Sequence, residues 1–221
     1  LAFSIAVYLS WKLQTYWYLF IHLLTINLLW YYSLRLKREF FIGNFLIAGL
    51  TAMVPLLVGY YYYHILGVSG IETMNSDFYP FTEGSISNYT LLLTFAISGF
   101  AFAMNLAREI IKDMEDVEGD KKLRAKTVPI VLGIHKTKWI AGFFLSLTII
   151  ISTLIGLVYN SIPMVSMVPV FISAFLILVC FILLVISSSK GQFRTINHLI
   201  KLAMIFGMLT PVYWRLIMIY G

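Results

Sequence analysis

The chain has 221 residues, of which 60% are hydrophobic, 16% aromatic and only 12% charged, with a mean hydropathy of +0.88. A water-soluble domain carries about 25% charged residues, so the composition excludes a soluble globular protein, and the high hydrophobicity excludes intrinsic disorder. The net charge of +6 does not call for nucleic acid, because membrane proteins hold Lys and Arg on the cytoplasmic side. The lone cysteine, Cys180, cannot build an intrachain disulfide.

In chain order, the first segment is an apolar run that ends at Trp11-Lys12. At a 1.5 Å rise per residue it reaches only about half of a hydrocarbon core. It lacks the basic flank and small-residue cleavage site of a signal peptide. It reads as the second half of a helix whose first half precedes Leu1, so the chain is expected to be a fragment, inactive on its own. Uncharged stretches follow at Leu13–Leu34, Phe40–Ile71, Gly84–Ala107 and Trp139–Ser189. The last is too long for one helix, and the turn signal Tyr159-Asn160-Ser161-Ile162-Pro163 divides it into roughly Trp139–Tyr159 and Met164–Ser187. A final span runs from about His198 to Tyr220, with Lys201 and Arg215 near its ends, where long side chains can snorkel. The expectation is an all-α, multi-pass transmembrane bundle of six full spans plus a partial N-terminal one, forming a single domain over residues 1–221.

Charge sets the orientation. Of the 16 Lys and Arg, only Lys12 and Arg215 fall on one side of these spans, together with the loop Gly67–Asn88, whose charges are Glu72, Asp77 and Glu83. The side holding the rest is expected to face the cytoplasm, in a cell (inner) membrane.

More than half of the 10 acidic residues, Glu109, Asp113, Glu115, Asp116, Glu118 and Asp120, crowd into one short stretch. On a helix continuing from the preceding span, Glu109, Asp113, Asp116 and Asp120 fall within about 60° of arc, with Asn105 extending the stripe toward the membrane. Like charges at these spacings cost about 1 kcal/mol in all, so the stripe calls for a compensating ligand. A hard divalent cation suits it, since Mg²⁺ takes one or two carboxylates and completes its shell with phosphate oxygens and waters. Glu115 and Glu118 point elsewhere and read as a solvated face. Two basic clusters flank the stripe, Arg35-Leu36-Lys37-Arg38 and Lys121-Lys122-Leu123-Arg124-Ala125-Lys126. Carboxylates and cations together suit a metal–diphosphate ligand, although topology alone also places Lys and Arg here. His22, His64, His135 and His198 are scattered, which argues against zinc. The aromatic runs Trp30-Tyr31-Tyr32 and Tyr60–Tyr63 read as interface belts.

The segment Asn105-Leu-Ala-Arg-Glu-Ile-Ile-Lys-Asp-Met-Glu-Asp-Val-Glu-Gly-Asp120, followed by Lys126-Thr-Val-Pro-Ile-Val-Leu-Gly133, resembles the second aspartate-rich motif of the UbiA prenyltransferase superfamily. Within it the likeness is to geranylgeranylglycerol-phosphate geranylgeranyltransferases and their bacterial relatives. Tyr32-Ser33-Leu34-Arg35-Leu36-Lys37-Arg38 with Gly43-Asn44 similarly resembles the family's basic loop. The resemblance implies nine helices around a central cavity, and two Asp-rich motifs that hold a polyprenyl diphosphate through Mg²⁺, with Mn²⁺ as a substitute. It implies Asp113, Asp116 and Asp120 as catalytic, metal-holding residues. Arg35, Lys37, Arg38, Asn105, Arg108, Lys112, Lys121 and Lys126 would bind the donor. The prenyl group would pass to a lipophilic acceptor, a glycerol-phosphate lipid or an aromatic quinone precursor, within the bilayer; no protein partner is implied. The family's first Asp-rich motif would lie before Leu1, and Arg124 stands where the family usually has Gly, so the loop there is expected to turn differently. The alternatives are a transporter or channel fragment, disfavoured because its spans would carry charges along a pathway, and an inactive scaffold homologue.

Overall fold

In a bilayer only a helix satisfies the backbone polar groups of a single segment internally, and long runs of Leu, Ile, Phe and Val are helical for that reason. The computed structural model describes residues 2–12, 16–69, 86–158 and 167–220. Every element among them is helical: α1 (Ala2–Lys12), α2 (Trp17–Leu34), a 3-10 turn (Leu36–Arg38), α3 (Ile42–Ser69), α4 (Ile86–Lys122), α5 (Val128–Leu132), α6 (Ile134–Val158), α7 (Val168–Ile186) and α8 (Lys190–Tyr220). The turn expected at Tyr159–Pro163 and the loop with Glu72, Asp77 and Glu83 lie outside the described residues.

Among the described residues, four helices have segments long and apolar enough to cross a membrane, namely Ile42–Tyr60, Leu91–Lys122, Ile134–Leu154 and Val168–Ile186. The all-α multi-pass bundle therefore stands. Two of the six expected spans fall short of that test: α2 has a shorter apolar stretch, Leu19–Leu34, and α8 is not among the four. Helix ends also differ from the apolar runs. α6 starts ahead of Trp139 and α8 ahead of His198, so Lys136, Lys138, Lys190 and Arg194 ride on helical turns. Hydropathy marks the part of a helix that meets lipid, not the part that is helical.

α4 is the axle. It packs against α3 on one side and α6 and α8 on others, with α5 at its end. The consecutive residues Ala103, Met104, Asn105, Leu106 and Ala107 are all buried, which requires neighbours all round the helix. Around them Ala48, Leu145, Cys180, Leu184, Ile196 and Ile200 complete the core. Lipid tails are as apolar as Leu, so close fit and hydrogen bonds hold such helices together. Phe45 meets Phe102 edge-on across α3 and α4 at 5.2 Å. Ser173 donates to the Ala203 carbonyl at 2.9 Å, joining α7 to α8. Lys138 Nζ donates to the Val185 carbonyl at 3.2 Å, at the C-terminal end of α7. Phe143, Phe171, Phe175 and Ile182 point outward, as a lipid-facing surface requires.

Two connections shape the end of the bundle that carries the charges. After α4, the Ala125 N–H bonds the Asp120 carbonyl at 3.0 Å and the Arg124 N–H bonds the Lys121 carbonyl at 3.1 Å. That pair of bonds is a Schellman cap, and Arg124 takes its left-handed position with φ 52°. The expectation that Arg124 makes this loop turn differently is corrected: the backbone adopts the turn a glycine would make. Between α2 and α3, Phe41 also has a positive φ, 59°, and is held there by packing against the core. Gly43 follows, and a Cβ on it would come within 2.6 Å of the Leu36 carbonyl oxygen. The first turn of α3 thus touches the backbone of the 3-10 turn, which places Arg35–Arg38 beside α3.

Helix propensity favours Ala over Gly by about 1 kcal/mol. At Gly49, with nothing within 4 Å of a new Cβ, Gly49→Ala should hold or raise the unfolding midpoint in detergent. At Gly43 the backbone clash outweighs propensity, so Gly43→Ala should lower the midpoint, by an amount equivalent to about 1–3 kcal/mol. Relief of left-handed strain predicts the opposite sign at the α4 cap: Arg124→Gly should stabilise by about 0.5–1 kcal/mol in the same thermal measurement.

Candidate functional site

α4 runs unbroken for 37 residues, about 55 Å, while a hydrocarbon core is about 30 Å thick. The apolar part, through Ala107, fills the bundle, and the charged part from Arg108 continues the same helix, still packed on the core through Ile110, Ile111 and Met114. Because the helix does not break, the stripe expected from spacing is present as one face. Asp113, Asp116 and Asp120 are all half-buried and span about 10 Å of axis.

The acidic residues around them have different fates. Glu109 accepts a 2.7 Å ion pair from its neighbour Arg108, so that guanidinium is drawn to Glu109. Glu115 accepts Nε of Arg194 on α8 at 2.9 Å, which lifts the guanidinium's already high pKa. With the Arg194 side chain 59% exposed, this pair adds little stability, but it ties α4 to α8 on the face away from α3. Glu118 is exposed. Among the described residues, Asp113, Asp116 and Asp120 form no ion pair.

Asn44, in the first turn of α3, donates Nδ2 to Asp113 Oδ2 at 2.7 Å. Asn44 belongs to the basic-loop motif, and nothing in that motif assigns it a role. Its signal in the sequence is a carboxamide at the very start of an apolar helix, and only the packing of α3 on α4 reveals its partner. Tyr32 lies close enough to Glu109 and Asp113 to interact electrostatically.

The two basic segments come together through the backbone. The Lys126 N–H donates to the Arg38 carbonyl at 2.8 Å, stitching the loop after α4 to the loop before α3. Lys37 is thereby brought within electrostatic range of Asp120, as is Lys112 from α4 itself. The side chains of Arg35, Lys37, Arg38, Lys121 and Lys126 are exposed and Lys112 is half-buried. Asn105 is the outlier: it is buried, its Nδ2 donates to the Ala101 carbonyl of its own helix at 3.0 Å, and it sits about 12 Å along the axis from Asp113.

Three carboxylates in a row, faced by free cations, can hold a multiply charged anion through a hard cation. Among the described residues no three His, Cys, Asp or Glu side chains come together closely enough to hold one metal ion. Mg²⁺ does not require such a group, since it takes one or two carboxylates and completes its shell with phosphate oxygens and water.

Comparison with known proteins supplies the family. The pattern of the UbiA prenyltransferase family matches residues 1–215. The digeranylgeranylglyceryl phosphate synthase of Thermococcus gammatolerans is 37% identical over 123 residues, covering 56% of this chain and 35% of that protein. Those of Methanosphaera stadtmanae and Thermococcus kodakarensis are each 31% identical, over 79% and 80% of this chain and 54% and 55% of theirs. The chain thus spans about half the length, or less, of these curated relatives. No solved structure matches. With the family pattern running across almost the whole sequence of an integral membrane protein, the chain belongs to the UbiA prenyltransferase family.

Proposed function

We propose that the protein is an intramembrane prenyltransferase that moves a prenyl group from a polyprenyl diphosphate to a glycerol-phosphate lipid. The observation that carries this reading is the half-buried row Asp113–Asp116–Asp120, without an ion pair among the described residues, set against basic loops joined by the Lys126–Arg38 backbone bond. The names of the relatives point to a glycerol-phosphate acceptor rather than an aromatic one. The positive-inside distribution of charge supports a site on the cytoplasmic face.

Asp116 and Asp120, with Asp113, would hold Mg²⁺ or Mn²⁺, which when bound neutralises charge developing on the leaving diphosphate. Lys37, Arg38 and Lys126 would bind the remaining diphosphate oxygens, with Arg35 and Lys121 at the rim. Cations here stabilise the diphosphate more as it departs than before, and only that difference accelerates the reaction. The apolar bundle beneath would take the prenyl chain and exclude water, so that the allylic carbon whose bond to the diphosphate breaks would bond to the acceptor hydroxyl oxygen instead, the hydroxyl proton leaving with the diphosphate. Asn44 would orient Asp113 by occupying one of its oxygens. Asn105, with its donor engaged by its own helix, would line the site's inner wall.

Asp→Asn preserves size while removing charge. In the intact enzyme Asp116→Asn or Asp120→Asn should cut turnover at least about 100-fold, equivalent to about 2.7 kcal/mol, with a smaller loss for Asp113→Asn. Glu115→Gln and Glu118→Gln should stay near wild type, and chelation should abolish turnover until Mg²⁺ or Mn²⁺ is restored. Equal damage from the Glu and Asp changes in steady-state prenyl transfer would remove the stripe from the site.

Asn44 supplies a second check. Asn44→Ala frees the Asp113 carboxylate and should lower kcat/KM for the donor about tenfold, the low end for loss of an outer-shell partner. Asn44→Asp sets a second carboxylate against Asp113 and should do more harm than Ala, chiefly at low Mg²⁺. Identical kinetics for both variants would show that the bond to Asp113 is incidental.

A further inference from the structure

Thr127, just before α5, is 5% exposed, yet its Oγ1 has no hydrogen-bond partner. A threonine at the start of a helix ordinarily bonds the N–H of the second or third helical residue. Here the second is Pro129, which has no N–H. The third, Ile130, gives its N–H to the Thr127 backbone carbonyl at 3.0 Å, and no side-chain cap forms. Local structure has therefore denied the hydroxyl its usual work. The group within its reach is the Asp120 carboxylate: the two lie near enough to act as donor and acceptor, but no bond of full hydrogen-bond geometry closes between them. The segment cannot swing away, because the neighbouring Lys126 N–H is bonded to the Arg38 carbonyl and the adjoining Val128 and Pro129 are buried. A buried hydroxyl without a partner is destabilising, and its retention beside a carboxylate that is itself unpaired calls for a reason.

We infer that Thr127 is a positioning residue of the donor site: with the site loaded, its hydroxyl donates to one oxygen of Asp120 and turns the other toward the bound cation. This rests on the assignment of the stripe to metal–diphosphate binding. It makes the two ends of the row alike, Asn44 holding Asp113 through an amide and Thr127 holding Asp120 through a hydroxyl. Both holders are neutral, so they orient the carboxylates without cancelling the charge that the cation needs.

The test uses the intact protein in detergent, with Mn²⁺ and inorganic pyrophosphate as the probe. Mn²⁺ binding is read by electron paramagnetic resonance, and thermal unfolding is measured without ligand. Thr127→Val keeps the shape and removes only the hydroxyl, and Thr127→Ala is a second hydroxyl-free variant. Without ligand, Thr127→Val should unfold at or above the wild-type temperature, because an unpartnered hydroxyl has been lost. Either variant should bind Mn²⁺ in the presence of pyrophosphate about 10–100-fold more weakly, while Thr127→Ser should bind within about threefold of wild type. Wild-type affinity in the hydroxyl-free variants, with Asp120→Asn still defective, would overturn the inference and leave the stripe intact. Wild-type affinity in Asp120→Asn as well would overturn both. A defect in Thr127→Ser equal to that of Thr127→Val would show that the methyl group, not the hydroxyl, is what matters.

Discussion

The bilayer is thinner than α4 is long, and much of this protein's organisation follows from that mismatch. A helix of 37 residues extends about 55 Å, and its charged third cannot rest in hydrocarbon. It must emerge, and because the helix is unbroken it emerges with the same face it presents inside the bundle. The core residues Met104, Ala107, Ile111 and Met114 then fix how α4 is rotated against α3, α6 and α8. That rotation aims the aspartates. The foundation of the site is a helix packed into the core of the bundle, and a ligand-binding geometry held by core packing tolerates less drift than one held by loops.

Carboxylates at helical spacing repel one another, and this protein handles the repulsion selectively. Glu109 and Glu115 are paired with Arg108 and Arg194, which quiets the charges at the stripe's edge and on the opposite face. Among the described residues, Asp113, Asp116 and Asp120 have no cationic partner at contact distance, although Lys37 and Lys112 stand close enough to Asp120 to be felt. Had those lysines closed onto the carboxylates, the row would be a self-satisfied surface network. Instead the basic groups are exposed on their loops, available to a ligand that brings its own negative charge. The separation of cations from anions is a consequence of backbone architecture: the 3-10 turn is seated on Gly43 and the following loop is stitched to it at Arg38.

Two backbone strains sit at this end of the molecule. Phe41 and Arg124 both occupy the left-handed region, where a residue with a Cβ is disfavoured. One lies in each of the two loops joined by the Lys126–Arg38 bond. In each case the surroundings over-determine the conformation, Phe41 through core contacts and Arg124 through the two cap hydrogen bonds after α4. The chain accepts local strain to bring two loops, far apart in sequence, onto the same row of aspartates.

Composition alone excluded water as the solvent, apolar run length marked where helices meet lipid, and the 4-3-4 spacing of Glu109, Asp113, Asp116 and Asp120 placed them on one face, because these depend only on hydropathy and on 3.6 residues per turn. The family resemblance was carried by local motifs and could be read for the same reason. Helix ends were not legible, since α6 and α8 continue past their apolar runs. The Arg124 turn is not legible from its side chain, because two backbone hydrogen bonds, and not residue type, decide that conformation. Asn44 and Thr127 carry no periodic signal at all. Their partners lie on other helices or across a loop, at distances set by how α3 packs on α4 and how the Lys126–Arg38 bond closes. Contacts between residues remote in sequence depend on the relative placement of whole elements, and only tertiary packing decides that.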